Sequence, residues 1–460
     1  MQIDIKTGFS DSSSPYREGD INVTGERADW YKNLSIQVND LIDKDRQYFI
    51  HQALSTPCLN VLKECNGIYI EDIEGNRYMD FHGNNLHQIG YRNPGVINAL
   101  KDALDSLPFC PRRYTNQPAI RLAQLLTQLA PGTLNKVLFA PGGSEVNSIA
   151  LKLARMITGK HKVISMWDSY HGAGLDTISV GGEQSFRRNA GPLLPGVEHI
   201  PSFNTYRGLL KGHPRGELIY ADYIEYIIEQ EGDIGAVMAE TVRNTDVQVP
   251  SKAYWKNIRD ICDYHNVLLI LDEIPICLGR TGKMFAFENY DIVPDMVTLG
   301  KGLGGGVMPL AAILVRDDLH IDPLASVGHF THEKNPLSAI AGIETIEFII
   351  RENILEHVAM LEEYMRGRLL HLREEYPVIG DVRGIGLLWG VELVKDRTTK
   401  EKAIGLTEKI MYRCLKNGLS FKVSQGNVIN LSPPLIITKR ELDNALEILQ
   451  NAIAIETSDY

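Results

Sequence analysis

Short apolar runs, separated by segments of helical periodicity, set the rhythm of the middle of this chain. KVLFAPGG (136–143), HKVISM (161–166), GAVMAE (235–240), NVLLILDE (266–273), DMVTLG (295–300) and AAILV (311–315) carry apolar residues without polar alternation. Strands of that kind are covered on both faces, which predicts a largely parallel sheet with helical crossovers. NSIALKLARMITG, between the first two runs, has the spacing of such a crossover helix. Upstream, GIYIEDIEGNRYMDFH (67–82) alternates on either side of Glu74-Gly75-Asn76 and predicts a hairpin. Two amphipathic helices follow: NPGVINALKDALDSL, with Pro94 in its first turn, and AIRLAQLLTQLAPG, ending at Gly132.

Beyond about residue 336 the texture changes. A long helix, straight or kinked (roughly 336–374), leads to GDVRGIGLLWGVELV, a helix from about 400 to 417, the strand-like NVINLSPPLII and a closing helix from Lys439 to Ile455. The first 30 or so residues, broken by Ser12, Ser13, Ser14, Pro15 and Gly19, predict an irregular arm. The division that results is an arm (1–45), a segment packing with the smaller domain (46–107), a large α/β domain (108–335) and a C-terminal α+β domain (336–460).

A length of 460 residues suits two domains, and 44% hydrophobic with 23% charged residues describes a globular chain. A net charge of -11 argues against a general nucleic-acid binder and against anionic lipid. No run approaches the ~18 apolar residues of a membrane span. Cysteines at 58, 65, 110, 262, 277 and 414 form no CxxC, so neither a disulfide framework nor a metal site is expected, and a cytoplasmic setting is.

Three strand ends carry candidate chemistry. Lys301 stands after an apolar run and before Gly302-Leu303-Gly304-Gly305-Gly306, a run that lets backbone approach a ligand. It is a phosphate contact, the partner of a carbonyl electrophile, or a surface charge. Asp272 ends LLILD, where a carboxylate faces the ligand crevice of an α/β sheet and can stabilise a protonated ring nitrogen, cap a turn or bind metal. APGGSEVNSIALKLAR turns at Gly142-Gly143 into a helix near Ser144, whose amides suit a phosphate. Tyr170, in DSYHG, can stack on a flat ring, and Glu240 and Arg243 mark another strand end. Together, a phosphate nest, a strand-end acid and a glycine-flanked lysine match a pyridoxal phosphate site.

At GGSEVNSIALKLAR, YHG, LLILDE, GRTGKMFAFE, PDMVTLGKGLGGG, THEKNPLSA, RGIGLLWGVEL and NLSPPLIIT the sequence resembles the class III aminotransferases, over about residues 45 to 455. The resemblance implies the fold-type-I architecture and pyridoxal 5'-phosphate as cofactor. It implies Lys301 as the Schiff-base lysine, Asp272 at the pyridine nitrogen, Gly143 and Ser144 at the phosphate, and Tyr170 on the ring. It places Glu240 beside the cofactor and Thr331 at the phosphate of a neighbouring subunit, hence a homodimer with shared sites. Gly279-Arg280-Thr281-Gly282 would belong to the same interface.

Three departures bear on the substrate. Pro275 stands where the family carries glutamine, Thr241 where it carries proline, and Asn430 where it carries the arginine that grips an α-carboxylate. Loss of that two-pronged clamp points to an amine with a distant anion. In detail the sequence resembles the lyases within this family, a resemblance that implies release of ammonia from a hydroxylated aminoalkylphosphonate by β-elimination, with an ω-aminotransferase or a phospho-lyase on a phosphoethanolamine-like substrate as alternatives. Arg243 and Arg112, the latter in CPRRYTN, are the residues expected at the phosphonate.

Overall fold

In the computed structural model, residues 23–52 and 58–458 are described. Residues 1–22 of the arm lie outside them. From Glu26 the chain is helical, with helices Glu26–Lys32 and Ile36–Tyr48, rather than irregular. The second is capped by Ser35, which accepts from the Val38 amide, and Trp30 of the first is buried.

The first strands, β1 (Leu62–Asn66), β2 (Tyr69–Asp72) and β3 (Arg77–Asp80), form an antiparallel meander that includes the expected hairpin. The middle of the chain builds a seven-stranded sheet from β4 (Lys136–Ala140), β5 (Lys162–Met166), β6 (Val197–Ile200), β7 (Ile234–Glu240), β8 (Leu268–Asp272), β9 (Met296–Leu299) and β10 (Ala311–Val315), in the order β4-β10-β9-β8-β7-β5-β6. The C-terminal part adds β11 (Ile379–Ile385), β12 (Leu388–Leu393), β13 (Leu419–Ser420), β14 (Lys422–Ser424) and β15 (Val428–Leu431). Four of these form the antiparallel sheet β11-β12-β15-β14, while β13 pairs in parallel with β3.

In the central sheet β10 is reversed, pairing antiparallel with both β4 and β9, and the other strands share one direction. The carboxyl ends of β4, β5, β7, β8 and β9 therefore meet at one edge, and the reversed β10 brings its entry loop there too. Every residue of β8, β9 and β10 is buried, which explains their unbroken apolar character. Helix Gly143–Thr158 packs on the sheet, as does Lys252–His265 on β8. The expected long C-terminal helix is two, Pro336–Arg351 and Ile354–Glu375, broken where Asn353 takes a left-handed φ of +50°. No helix among the described residues is long and apolar enough to cross a membrane.

Arg280 is fully buried within the subunit, and its Nη1 donates to the carbonyls of Leu387 (3.0 Å) and Pro433. Burial pushes its guanidinium down to about 9. It ties the central segment to the C-terminal sheet from inside.

Candidate active site

Lys301 follows Gly300, the residue after β9, and has a φ of +45°. A left-handed non-glycine residue costs about 1–2 kcal/mol and persists only where its surroundings fix it. Those surroundings are the glycine run. A Cβ on Gly302 would overlap the amide of Gln88, and one on Gly305 (φ +65°) would lie 2.9 Å from Thr345 Oγ1 and 3.1 Å from Val96. These two glycines thus serve close packing of the turn on the protein's own core, not approach to a ligand. Seated this way, the turn leaves Lys301 exposed on a cleft of about 610 Å³.

Asp272, 2% exposed at the end of β8, faces the same cleft. Its Oδ2 accepts from Asn147 Nδ2 (2.8 Å) and from His171 Nδ1 (2.8 Å), and its Oδ1 from the Ile274 amide (3.1 Å). Asn147 also donates to the His171 carbonyl (2.7 Å) and accepts from Thr298 Oγ1 (2.8 Å). Residues from a helix, two loops and a neighbouring strand thereby fix one carboxylate in one orientation.

Helix Gly143–Thr158 starts at the cleft wall, and no side chain caps its first turn. Its leading amides are the donors a helix start leaves unsatisfied. A Cβ on Gly143 would sit 2.9 Å from Ile274 Cδ1, so bare backbone fits here. Ser144 Oγ accepts from the Ala173 amide (2.9 Å), and Gly172, at φ +140°, packs against Ser144. Tyr170, half-exposed, lies against Phe186 with ring centroids 4.5 Å apart. Its amide donates to Glu240 Oε1 (3.1 Å), while Glu240 Oε2 is buried without a partner. Burial raises the Glu240 carboxyl above its usual range and Asp272 adds to this, against His171 and Arg243.

Gly143, Ser144, Tyr170, Glu240, Asp272 and Lys301 thus line one cleft. Arg243 does not. The chain turns just after β7, with Arg243 and Gln248 bridged in antiparallel fashion, and carries the guanidinium to Asp246 (3.3 Å) and Asp168 (3.9 Å) in a neighbouring crevice. Arg112 is exposed and pairs with His329, and neither it nor Thr331 lines the cleft within this subunit.

Further residues brace the site or complete its walls. Asn147, three positions after Ser144 on the same helix face, was legible in GGSEVNSIA, and His171 in YHG. His82, Asn84, Asn85 and Lys422 also line the cleft, and local sequence gives them no signal. Burial pushes the His82 imidazole down to about 4; Lys422, His87 and Lys301 add to this against Asp80, so the ring is neutral at pH 7.

A cleft at the carboxyl edge of this sheet, with an uncapped helix start, a braced buried aspartate and a strained lysine, is the site of a known class of enzyme. The model of the aminotransferase class-III family matches residues 50–453, and the chain belongs to that family. It is 52% identical over 459 residues, 96% of each chain, to the (R)-1-hydroxy-2-aminoethylphosphonate ammonia-lyase of Vibrio splendidus (strain 12B01). A leucine/methionine racemase of Thermococcus litoralis is 34% identical, over 90% of this chain and 95% of that one. Among solved structures, the omega transaminase from Pseudomonas jessenii in complex with PMP superposes with a TM-score of 0.86 at 29% identity, over 91% of this chain and 98% of that one.

Proposed function

We propose that this chain is a pyridoxal-phosphate-dependent ammonia-lyase that converts (R)-1-hydroxy-2-aminoethylphosphonate to phosphonoacetaldehyde and ammonia. The observation that carries the reading is 52% identity across 96% of both chains to the Vibrio enzyme of that name. The residues present fit the cofactor. The helix start at Gly143 has no side-chain cap, a Cβ at Gly143 would press on Ile274 Cδ1 at 2.9 Å, and Glu240 keeps one buried carboxylate oxygen without a partner. Gly143 and Ser144 would hold the phosphate, Tyr170 the ring face, Asp272 the ring nitrogen and Lys301 the aldehyde, with Glu240 beside the ring.

When bound, the cofactor supplies an electron-accepting ring that stabilises negative charge on the amine-bearing carbon of the substrate. Asn147 and His171 would keep Asp272 oriented toward the ring nitrogen. Lys301 Nζ takes the proton from the amine-bearing carbon and, as an ammonium, gives a proton to the departing hydroxyl, which leaves as water. The released enamine tautomerises to the imine and takes up one water, giving aldehyde and ammonia, so the overall reaction neither gains nor loses water.

An ω-aminotransferase is the second reading, favoured by the transaminase structure that superposes most of the chain. The wider reading is of a homodimer working in the cytoplasm, with Thr331 reaching the neighbouring subunit's cleft and domains bounded near residues 107 and 335. One incubation separates the chemical readings. The holoenzyme is given the aminophosphonate without any 2-oxo acid, and ammonia and inorganic phosphate are assayed separately. Ammonia with aldehyde and no phosphate is expected. Turnover only with an oxo acid makes it an aminotransferase, and phosphate release a phospho-lyase.

A further inference from the structure

A phosphonate is a doubly charged, tetrahedral group that needs a cation and several hydrogen-bond donors. Neither Arg243 nor Arg112 lines the cleft. On the β7 and β8 side the wall carries the carboxylates of Glu240 and Asp272, which repel a second anion. Among the described residues, two ammonium groups line the cleft: Lys301 and Lys422. Under the function proposed above, Lys301 is engaged by the cofactor aldehyde, and the start of helix Gly143–Thr158 by its phosphate.

Lys422 opens β14, where it is the cross-strand partner of Asn430 on β15. Directly paired residues project from the same face of a sheet. Asn430 Nδ2 on that face donates to the carbonyls of Asn244 (2.7 Å) and Thr245 (3.2 Å), two residues of the cleft wall. The face that carries Lys422 is therefore the one turned to the active site.

The turn after β3 contributes to the same side of the cleft. Gly83, Asn84 and Asn85 hold successive left-handed φ values of +44°, +47° and +58°. Asp80 fixes this conformation: its Oδ1 accepts from the amides of His82 (2.9 Å) and Gly83 (3.0 Å), and its Oδ2 from the Tyr91 hydroxyl (2.7 Å). Asn85 is 1% exposed yet its amide oxygen has no partner, and His82 Nδ1 is likewise buried without one. Backbone strain maintained by a buried carboxylate, with unmatched polar atoms at a cleft wall, marks a built site.

We infer that Lys422, together with the His82–Asn85 turn, forms the subsite that binds the phosphonate of the substrate and selects it over uncharged amines. This rests on the function proposed above. Lys422 supplies the charge, and the Asn84 amide and the His82 ring supply directional hydrogen bonds.

The test uses the holoenzyme with Lys422→Met, Lys422→Gln and Lys422→Arg. Both neutral variants should lower kcat/KM for the aminophosphonate roughly 10- to 100-fold, mostly through KM, as loss of a charge-assisted contact does. Selectivity for the phosphonate over 1-amino-2-propanol should fall by the same factor, and Lys422→Arg should retain most of it. Binding of methylphosphonate, followed by calorimetry, should weaken in parallel. If Lys422→Met does not fold, judged by loss of the cofactor absorbance, Lys422→Gln decides. Unchanged KM and unchanged methylphosphonate binding in a folded neutral variant would overturn the inference. Wild-type protein that releases no ammonia but binds methylphosphonate through Lys422 would sink the lyase reading and leave the subsite standing.

Discussion

Replacing Asn147 by aspartate keeps the shape of the side chain and removes its donor. In the native chain Nδ2 makes a bond to the Asp272 carboxylate at 2.8 Å and one to the His171 carbonyl at 2.7 Å. After Asn147→Asp, an oxygen would face two acceptors at those distances, while the bond from Thr298 to the other oxygen survives. A buried bond to a charged group is worth about 1.5–3 kcal/mol and a neutral one about 1 kcal/mol. One proton shared between the two carboxyls restores a single bond at a cost set by pH. The expected loss of stability at pH 8 is roughly 2–4 kcal/mol. Because the introduced carboxyl has a raised pKa in the fold, its contribution is intact below the unfolded pKa and lost as pH rises, so the deficit grows with pH. The assay is urea denaturation of wild type and variant at pH 5.5 and pH 8, followed by tryptophan fluorescence. A deficit under about 1 kcal/mol, or one that shrinks as pH rises, would refute the claim that Asn147 braces Asp272.

Gly172→Ala should lower stability by roughly 3 kcal/mol or more and weaken cofactor binding, since its Cβ would meet Ser144 Cα at 2.7 Å and Thr177 Oγ1 at 2.8 Å with φ at +140°; urea midpoints and cofactor titration measure both. Arg243→Ala should cost about 3 kcal/mol of stability with little change in KM. Burial pushes Asp246 up, but Arg243 and Arg383 outweigh it and leave the carboxyl below its usual range, and a large KM effect would contradict this structural role. Glu273 accepts from Thr241 Oγ1 (2.7 Å) and the amides of Ala286 (2.6 Å) and Phe287 (2.7 Å), yet burial pushes it up to about 7. Its folded pKa is raised, so its contribution is full below the unfolded value and is lost as pH rises through about 7. Glu273→Gln should remove that part of the stability decline between pH 5 and pH 8, and identical pH slopes for the two proteins would disprove it.

Where burial is simple, the sequence was enough. β8 is buried along its whole length, so LLILD is apolar throughout, and its final acid could be placed at the sheet's carboxyl edge without coordinates. The same holds for the lysine after β9 and the glycine turn before Ser144, because strand ends and helix starts are written in local composition. β6 (VEHI) carries no clear local signal, because it is a half-buried edge strand with polar residues in the middle. The reversal of β10 has no local mark, since an apolar pentapeptide reads the same in either direction. Arg243 stands three residues after Glu240, and proximity in sequence suggested proximity in the site; the turn at 241–248 sent it elsewhere. Lys422 shows the converse. It is separated from Lys301 by more than a hundred residues, and only the register of β14 on β15 turns it to the cleft. Local pattern encodes which positions are buried and where elements stop. Which side chains meet across the cleft depends on strand order and register, which are fixed by the packing of distant segments and leave no trace in any short stretch of chain.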